Sequence, residues 1–413
     1  MRNPPELPEY KGSAEVTPAA LDGILVVDFT HFVAGPFATQ MLADLGANVV
    51  KVEHPVRGDD FRASRIQPDD DIQALFLSAN RNKRSVGIDL GDDEGRRIAR
   101  ELVDRADVVV ENFSTGIMER FGLGYDEVSK EHPELIYCSV SAAGRDGSMA
   151  GRVGFDTIAQ AETGFMRLNG RTDGLAALTG PAVIDITTAM SASNSILAAL
   201  VARSRLGVGQ FVEVSLFDQS ISLLGYQGYS FLATGVDNRA RRGNPQRRPG
   251  VGTYRTADDP LLLCCATERT YRKLVVGALD LPALAEPPYD IDAARRADGD
   301  ELNGIIEGVL RQRPLDDWLV RLRDAGVPAG AVRELEDALV DDDVNEREMV
   351  HQIDHPSHGR VPNISSPMRL HGTPIVDPVA APEVGQHTDD VLREVLAYPD
   401  DRLAALRADG AIG

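Results

Sequence analysis

The apolar positions of the chain first gather in one continuous block, Gly23 to Thr30 (GILVVDFT), whose length predicts a strand. Pro36 then stands where a helix should open, at its first position, and Phe37, Met41, Leu42 and Leu45 recur at helical spacing up to Gly46, a predicted stop. A second apolar run begins at Val49 and lasts to Val52. Strand, helix and strand in that order make a β-α-β unit, with a parallel pair and a right-handed crossover. A helix at about Glu94 to Asp104 leads to a strand at Asp107 to Val110, and a further helix leads to a strand at Leu135 to Val140. Alternation of this kind predicts an α/β fold built on a doubly wound parallel sheet.

Farther on, Gly180-Pro181 and a short apolar run lead into Asp185. After it, Ile186, Ala189, Met190, Ile196, Leu197 and Leu200 read as a buried helix ending near Gly207. Asp185 is thus expected where a helix begins, and that position has two meanings. Aspartate is a preferred N-cap, its carboxylate satisfying orphan backbone N–H groups. The positive end of the helix also favours an ionised carboxylate, and a charged aspartate beside an acyl donor can act as a nucleophile.

In doubly wound sheets ligands bind beyond the carboxyl ends of the strands. Those ends carry His31 with Phe32 and Val33, Glu53 with His54, Asn112 with Phe113, and Ser141 with Ala142. The first turn reads THFVAGP, not Gly-x-Gly-x-x-Gly, which removes most of the support for a nicotinamide dehydrogenase.

At 413 residues and 43% hydrophobic the chain can fill more than one core, so two domains are expected. Residues 1–20 are polar and Pro-rich and read as a flexible arm. No apolar run of membrane-span length and no secretory leader is read. Three cysteines, Cys138, Cys264 and Cys265, two of them adjacent, suit a reduced cytosol, and the run Leu261 to Ala266 reads as a buried strand. The net charge of −21 argues against nucleic acid and against an anionic membrane surface as partners. The only lysines are Lys11, Lys51, Lys83, Lys130 and Lys273, while acidic clusters such as Asp341 to Asp343 suggest a surface adapted to a high-salt cytosol; a GC-rich genome is the other explanation.

The segments VVDFTHFVAGPFATQMLADLGANVVKVEHPVRGDDFR, NRNKRSVGIDL, ADVVVENFSTGIMERFGLGY, PELIYCSVSAAG, GFDTIAQAETG and GQFVEVSLFDQ closely resemble the class III coenzyme A transferases. That family includes formyl-CoA:oxalate and carnitine-CoA transferases and α-methylacyl-CoA racemase. AGVPAG, HPSHGRVPNISSP and GQHTDDVL resemble its closing segments. The resemblance implies a large domain over residues 21–224, a smaller α+β domain over 225–326, a return to the large domain over 327–413, and an interlocked homodimer. It implies that Asp185 attacks an acyl-CoA thioester, with coenzyme A as part of the substrate, not a resident cofactor.

The same resemblance assigns His31, His54, Asn112, Phe113, Arg120 and Lys83 to the coenzyme A cleft, with Arg84 helping Lys83 at the phosphates. Phe113 is expected against adenine and Arg120 at a phosphate. The substrate pocket is expected to include Phe32, Val33, Phe155, Asp156, Arg247 and Arg248. Val33 replaces the glutamine of the oxalate branch. Phe155 replaces the histidine of the racemase branch, and an aromatic ring cannot exchange a proton. Asp156 reads equally as a structural acceptor or an active-site group. Arginines from Arg239 to Arg255 suit phosphates or carboxylates, or else the protein's own acidic surface. His351, His355 and His358 have ligand-like spacing, but Pro356 breaks a helix that would align them, so no metal site is expected. The resulting expectation is a CoA-transferase working on succinyl-CoA and a four- or five-carbon dicarboxylate such as mesaconate, malate or citramalate. A racemase-like isomerase and a non-catalytic acyl-CoA-binding protein are the alternatives.

Overall fold

The structure is a computed structural model that describes residues 6–12, 18–64, 73–169, 175–236 and 248–413. These divide into two compact units. The first holds the described residues of Met1–Thr163, Gly180–Leu224 and Val340–Gly413, and the second those of Gly164–Thr179 and Gly225–Leu339.

The first unit is built on β1 (Leu25–Asp28), β2 (Asn48–Glu53), β3 (Lys83–Gly87), β4 (Val108–Glu111), β5 (Ile136–Ser141) and β6 (Gln210–Ser215). They form one sheet in the order β3-β2-β1-β4-β5-β6, with every neighbouring pair parallel. The chain winds outward from β1 to β3, then returns to β4 on the other side of β1. Beyond the carboxyl ends of β1 and β4 the connections diverge, and that opens a crevice. Helices that connect or follow these strands include α1 (Ala34–Asp44), α2 (Asp93–Val103), α3 (Tyr125–Glu131), α4 (Asp156–Glu162), α5 (Val183–Leu206) and α6 (Leu216–Leu223).

Burial follows the pattern. Val27, Val50, Val86 and Val109 meet Ile98 and Leu102 of α2, and Leu392 and Leu403 from the far end of the chain complete the same core. Each such side chain contributes about 1.5–3 kcal/mol. Helix α2 starts where Asp92 accepts from the N–H groups of Glu94 and Gly95.

Several boundaries differ from expectation. Helix α1 starts at Ala34, so Pro36 is its third residue. Gly35 makes this possible, since a Cβ there would lie 2.4 Å from Thr30 Cβ. Helix α5 starts at Val183, two residues ahead of Asp185, and ends at Gly207 with φ 70°. Met190, expected inside, is 39% exposed. At 24 residues and mean hydropathy 1.3, α5 has the length and composition of a membrane span, which the sequence reading did not register; it packs against α1, α4, α6, β5 and β6. Residues 8–10 are tied down, unlike a loose arm: Glu9 bridges to Gln352 on the hairpin of β10 (Val350–His355) and β11 (Gly359–Ile364), and Tyr10 donates to Asp377 at 2.8 Å.

The second unit carries an antiparallel sheet of β7 (Val251–Arg255), β8 (Pro260–Cys264) and β9 (Ala329–Ala331), over a core of Leu274, Leu302, Leu310 and Trp318. Because β9 pairs with β8, residues 327–339 stay with this unit and the return falls at Val340, not at 327. Residues 164–179 also group with it, although they lie inside the expected large domain. Strand β8 alternates instead of being buried throughout, with Leu261 and Leu263 inside and Leu262 and Cys264 exposed.

Candidate active site

The crevice between β1 and β4 is tied at its floor by one side chain. Asn112 Oδ1 accepts from the His31 N–H and Asn112 Nδ2 donates to the His31 carbonyl, both at 2.8 Å. Its amide therefore fixes the β1–α1 turn. The next residue, Phe32, sits in the left-handed region at φ 64°, and its N–H donates to Asp59 Oδ1 at 3.2 Å. A non-glycine residue held there costs free energy that its surroundings must offset. Asp59 is fully buried, 3.0 Å from Lys51 Nζ and 3.5 Å from His31 Nδ1. Burial opposes its ionisation, but Lys51 and His31 outweigh that and hold the carboxyl well below the usual range.

Asp185 is the third residue of α5, and it caps nothing. The cap comes from Asp156, the first residue of α4: its Oδ2 accepts from the N–H groups of Ile184 at 2.7 Å and Asp185 at 3.2 Å. Gln160 Nε2 donates to Asp156 Oδ1. The other two first-turn amides are also engaged, Val183 with the Pro181 carbonyl and Ile186 with that of Ala182. All four first-turn amides are thus already committed. The Asp185 carboxyl is pushed up to about 7, by burial first and by the Asp156 charge second. This reverses the expectation that the helix end keeps Asp185 firmly ionised.

Asp185 opens into a cavity of about 210 Å³ lined also by His31, Phe32, Val33, Phe113 and Phe155. A second cavity of about 480 Å³, lined by His54, Arg57 and Phe121, shares His31, Phe32, Asn112 and Phe113 with the first. The shared residues make the two a continuous cleft, narrow and aromatic at Asp185 and wider beyond. Phe155 packs edge-on against Phe32 at 5.6 Å, and Phe113 lies 5.2 Å from His31.

Lys83 does not belong to this cleft. Its Nζ is buried and donates to Asp28, the Pro36 carbonyl and Asn80 at 2.8–3.0 Å, because β3 is covered on both faces. Burial lowers the ammonium to about 8, partly offset by Asp28. It cannot reach a phosphate. Arg84 pairs with Glu394. Arg120 is exposed and Phe121, the following residue, lines the wider cavity. His54 accepts at Nδ1 from the amides of Val56 and Arg57, which fixes its ring at the rim of that cavity. Arg247 lies outside the described residues. Arg248 belongs to the second unit, where it pairs with Asp292 at 3.1 Å.

Sequence reasoning passed over Asp59, Arg145 and Arg152. The two arginines line the cavity of Asp185; Arg145 is bound to Glu111, Ser139 and the Phe113 carbonyl, and Arg152 to Glu162. Asp59 stood in the quoted Gly58-Asp59-Asp60 and the arginines in a glycine-rich stretch, and no local pattern marks Lys51, Glu111 and Glu162 as their partners. Pro356 does not keep the histidines apart. It sits in the β10–β11 turn, where His355, His358 and Glu383 bring ligand atoms within 4.8 Å of one another. His355 Nδ1 there accepts from the amides of Ser357 and His358, and His351 bonds to Asn363 instead.

Comparison with known proteins fits this geometry. The family described as CoA-transferase family III matches residues 21–388. The chain is 32% identical over 395 residues to succinyl-CoA:glutarate CoA-transferase of Mus musculus, covering 95% of this chain and 90% of that protein. It is 35% identical over 394 residues to succinyl-CoA:mesaconate CoA-transferase of Haloarcula hispanica, covering 91% and 96%. Among solved structures, a CAIB/BAIF family protein from Brucella suis superposes with a TM-score of 0.81 at 33% identity, over 92% of this chain and 100% of the other. A parallel sheet whose switch point opens into a cleft holding a half-buried carboxylate, together with matches spanning nearly the whole length, places this chain in CoA-transferase family III, the enzymes that transfer coenzyme A between acyl-CoA thioesters and carboxylates.

Proposed function

We propose that the enzyme moves coenzyme A from succinyl-CoA to a four- or five-carbon dicarboxylate, with mesaconate, malate and citramalate as acceptors, and that Asp185 is its nucleophile. The observation that carries the reading is a half-buried carboxylate that no described cation pairs with, opening into a cavity that Phe32, Phe113 and Phe155 line, where Arg145 and Arg152 are held by Glu111 and Glu162. Such a group is a stronger nucleophile than a solvated aspartate.

An Asp185 oxygen attacks the thioester carbonyl, the C–S bond breaks, and coenzyme A leaves as thiolate with a mixed anhydride on Asp185. The thiolate attacks the aspartyl carbonyl and displaces the first carboxylate, leaving an aspartyl-CoA thioester. The acceptor carboxylate attacks that thioester, and the same steps in reverse complete the exchange. Each step replaces one activated acyl bond by another, so water must be kept out. The Phe32–Phe155 pair supplies that barrier, and the wider cavity, with Phe113, Phe121 and His54, suits the nucleotide end of coenzyme A.

An apolar helix, α7 (Gly225–Thr234), has none of its residues buried, and Tyr226, Tyr229 and Leu232 are 74–82% exposed. That surface supports a homodimer. Free cysteines and the net charge of −21 support a reducing, salt-rich cytoplasm, and a melting temperature that rises in molar potassium chloride checks the second point. The test of the main reading is a panel of acyl-CoA donors against isotope-labelled acids, read by mass spectrometry. Succinyl-CoA with a dicarboxylate should exchange fastest, and hydroxylamine added during turnover should mark Asp185. A panel answered only by monocarboxylates overturns the substrate class, and an unmarked Asp185 overturns the nucleophile.

A further inference from the structure

In the Asp156–Asp185 arrangement only Asp156 serves the fold, as the cap of α5. Two carboxylates share one helix start, and no cation pairs with either among the described residues. The amides that normally compensate an aspartate at that point are taken by the neighbour. Asp156 is 5% exposed and is anchored from its own helix by Gln160, while the end of α4 is tied to α6 by the contact of 2.6 Å between Thr163 Oγ1 and Ser220 Oγ.

We propose that Asp156 is a positioning residue for coenzyme A transfer: by taking the Ile184 and Asp185 amides it aims the Asp185 carboxylate into the cleft and withholds the positive helix end from it. Two consequences follow from electrostatics. The attacking oxygen keeps the electron density that a capping aspartate would share with amide protons. When Asp185 becomes an anhydride or a thioester its charge disappears, and the repulsion from Asp156 disappears with it. The covalent intermediates are therefore favoured relative to the free carboxylate, which suits an exchange in which every step must be nearly balanced.

The other charged groups on elements packed against α5 are engaged elsewhere. Asp44 of α1 binds Arg81, Glu162 of α4 binds Arg152, Asp218 of α6 accepts from Ser215, and Glu213 of β6 accepts the Arg145 amide. His31, at the far wall of the same cavity, lies against Asp59. Among the described residues Asp156 is the charge that raises the Asp185 carboxyl, while Arg145 and Arg152 of the same cavity are held by Glu111 and Glu162.

The inference rests on Asp185 being the acyl acceptor, and the experiment separates the two. The pH profile of kcat/KM for succinyl-CoA is measured for the wild type, Asp156→Asn and Asp185→Asn, together with the fraction of enzyme trapped as aspartyl hydroxamate. Asparagine keeps an acceptor oxygen for both amides, so Asp156→Asn should still fold. Its acidic limb should move down by at least about one pH unit from its wild-type place near 7, its plateau should fall about 10- to 100-fold, and less hydroxamate should form. An Asp156→Asn enzyme with a wild-type limb and wild-type trapping overturns the positioning role, even if its overall rate is lower. An Asp185→Asn enzyme with wild-type activity overturns the nucleophile and this inference together.

Discussion

Two groups of buried carboxylates lie in the first unit, and the fold treats them in opposite ways. Under the β1–α1 turn, Asp28, Glu53 and Asp59 are interleaved with Lys51, Arg62 and Lys83. Asp28 accepts from Thr30, Thr39 and Lys83, and Arg62 binds Glu53 in bidentate fashion. Burial raises the cost of every charge there, but the opposite charges outweigh it, and Asp28, Glu53 and Asp59 are held below the ordinary range. At the start of α5, burial and a like charge act in the same direction on Asp185. A carboxylate withdrawn from water thus gives rigidity in one place and reactivity in the other. What decides is the sign of the nearest neighbour.

The largest effect expected from breaking the comparison is catalytic. Asp185→Asn should lower transfer by about 10³-fold or more, because the amide cannot accept an acyl group. The same substitution should make the protein more stable at neutral pH, by at most roughly 4 kcal/mol, since it removes a buried charge beside Asp156. Loss of activity with a raised urea midpoint is the combination to measure.

Next in size is the cluster. Lys51→Met leaves Asp59 and Asp28 short of a cation and should cost about 3–5 kcal/mol, visible as a lower urea midpoint at pH 7. A variant as stable as the wild type would mean that the cluster contributes no rigidity.

The two groups should also separate by pH. Asp28, Glu53 and Asp59 are ionised more easily in the folded chain, so their contribution is complete above about pH 4 and fades as the medium is acidified further. Asp185 has the other sign. The folded protein keeps its proton up to about 7 while the unfolded chain loses it near 3.8, so rising pH across that window weakens the fold. The difference in midpoint between Asp185→Asn and wild type should therefore be small at pH 4 and grow towards pH 7.

The smallest effect concerns the aromatic wall. Phe155→Ala opens the closed end of the cleft and should raise hydrolysis of succinyl-CoA without acceptor by several-fold, with transfer changed less. An unchanged ratio of hydrolysis to transfer would show that the wall does not exclude water.

The sequence carried the alternation of strands and helices because parallel strands buried on both faces read as unbroken apolar runs, as Val108 to Val110 does. It also carried Asp185, which follows a turn and precedes a long helix. It misplaced what depends on partners distant along the chain. A cap is one of the two roles the sequence leaves open for Asp185, but the cap is Asp156, 29 residues earlier. Lys83, among polar neighbours in NRNKRS, is assigned by the resemblance to the coenzyme A phosphates, yet β3 carries its side chain under α1 to Asp28, 55 residues away. Asp59 went unnoticed because nothing local tells a carboxylate under Phe32 from one on a loop. The early α5 start and the late return at Val340 have the same origin, since a cap from another helix and a third strand from a distant segment leave no periodic trace.

The first core is closed by late residues. Gly87 N–H donates to Thr388 Oγ1 across 301 residues, and Ile88 bridges to Ile412. At about 5–20 residues per second of translation, β3 waits roughly 15–60 s for that covering. Nascent chains of this protein therefore leave Val86 and Ile88 without their late covering through most of their synthesis.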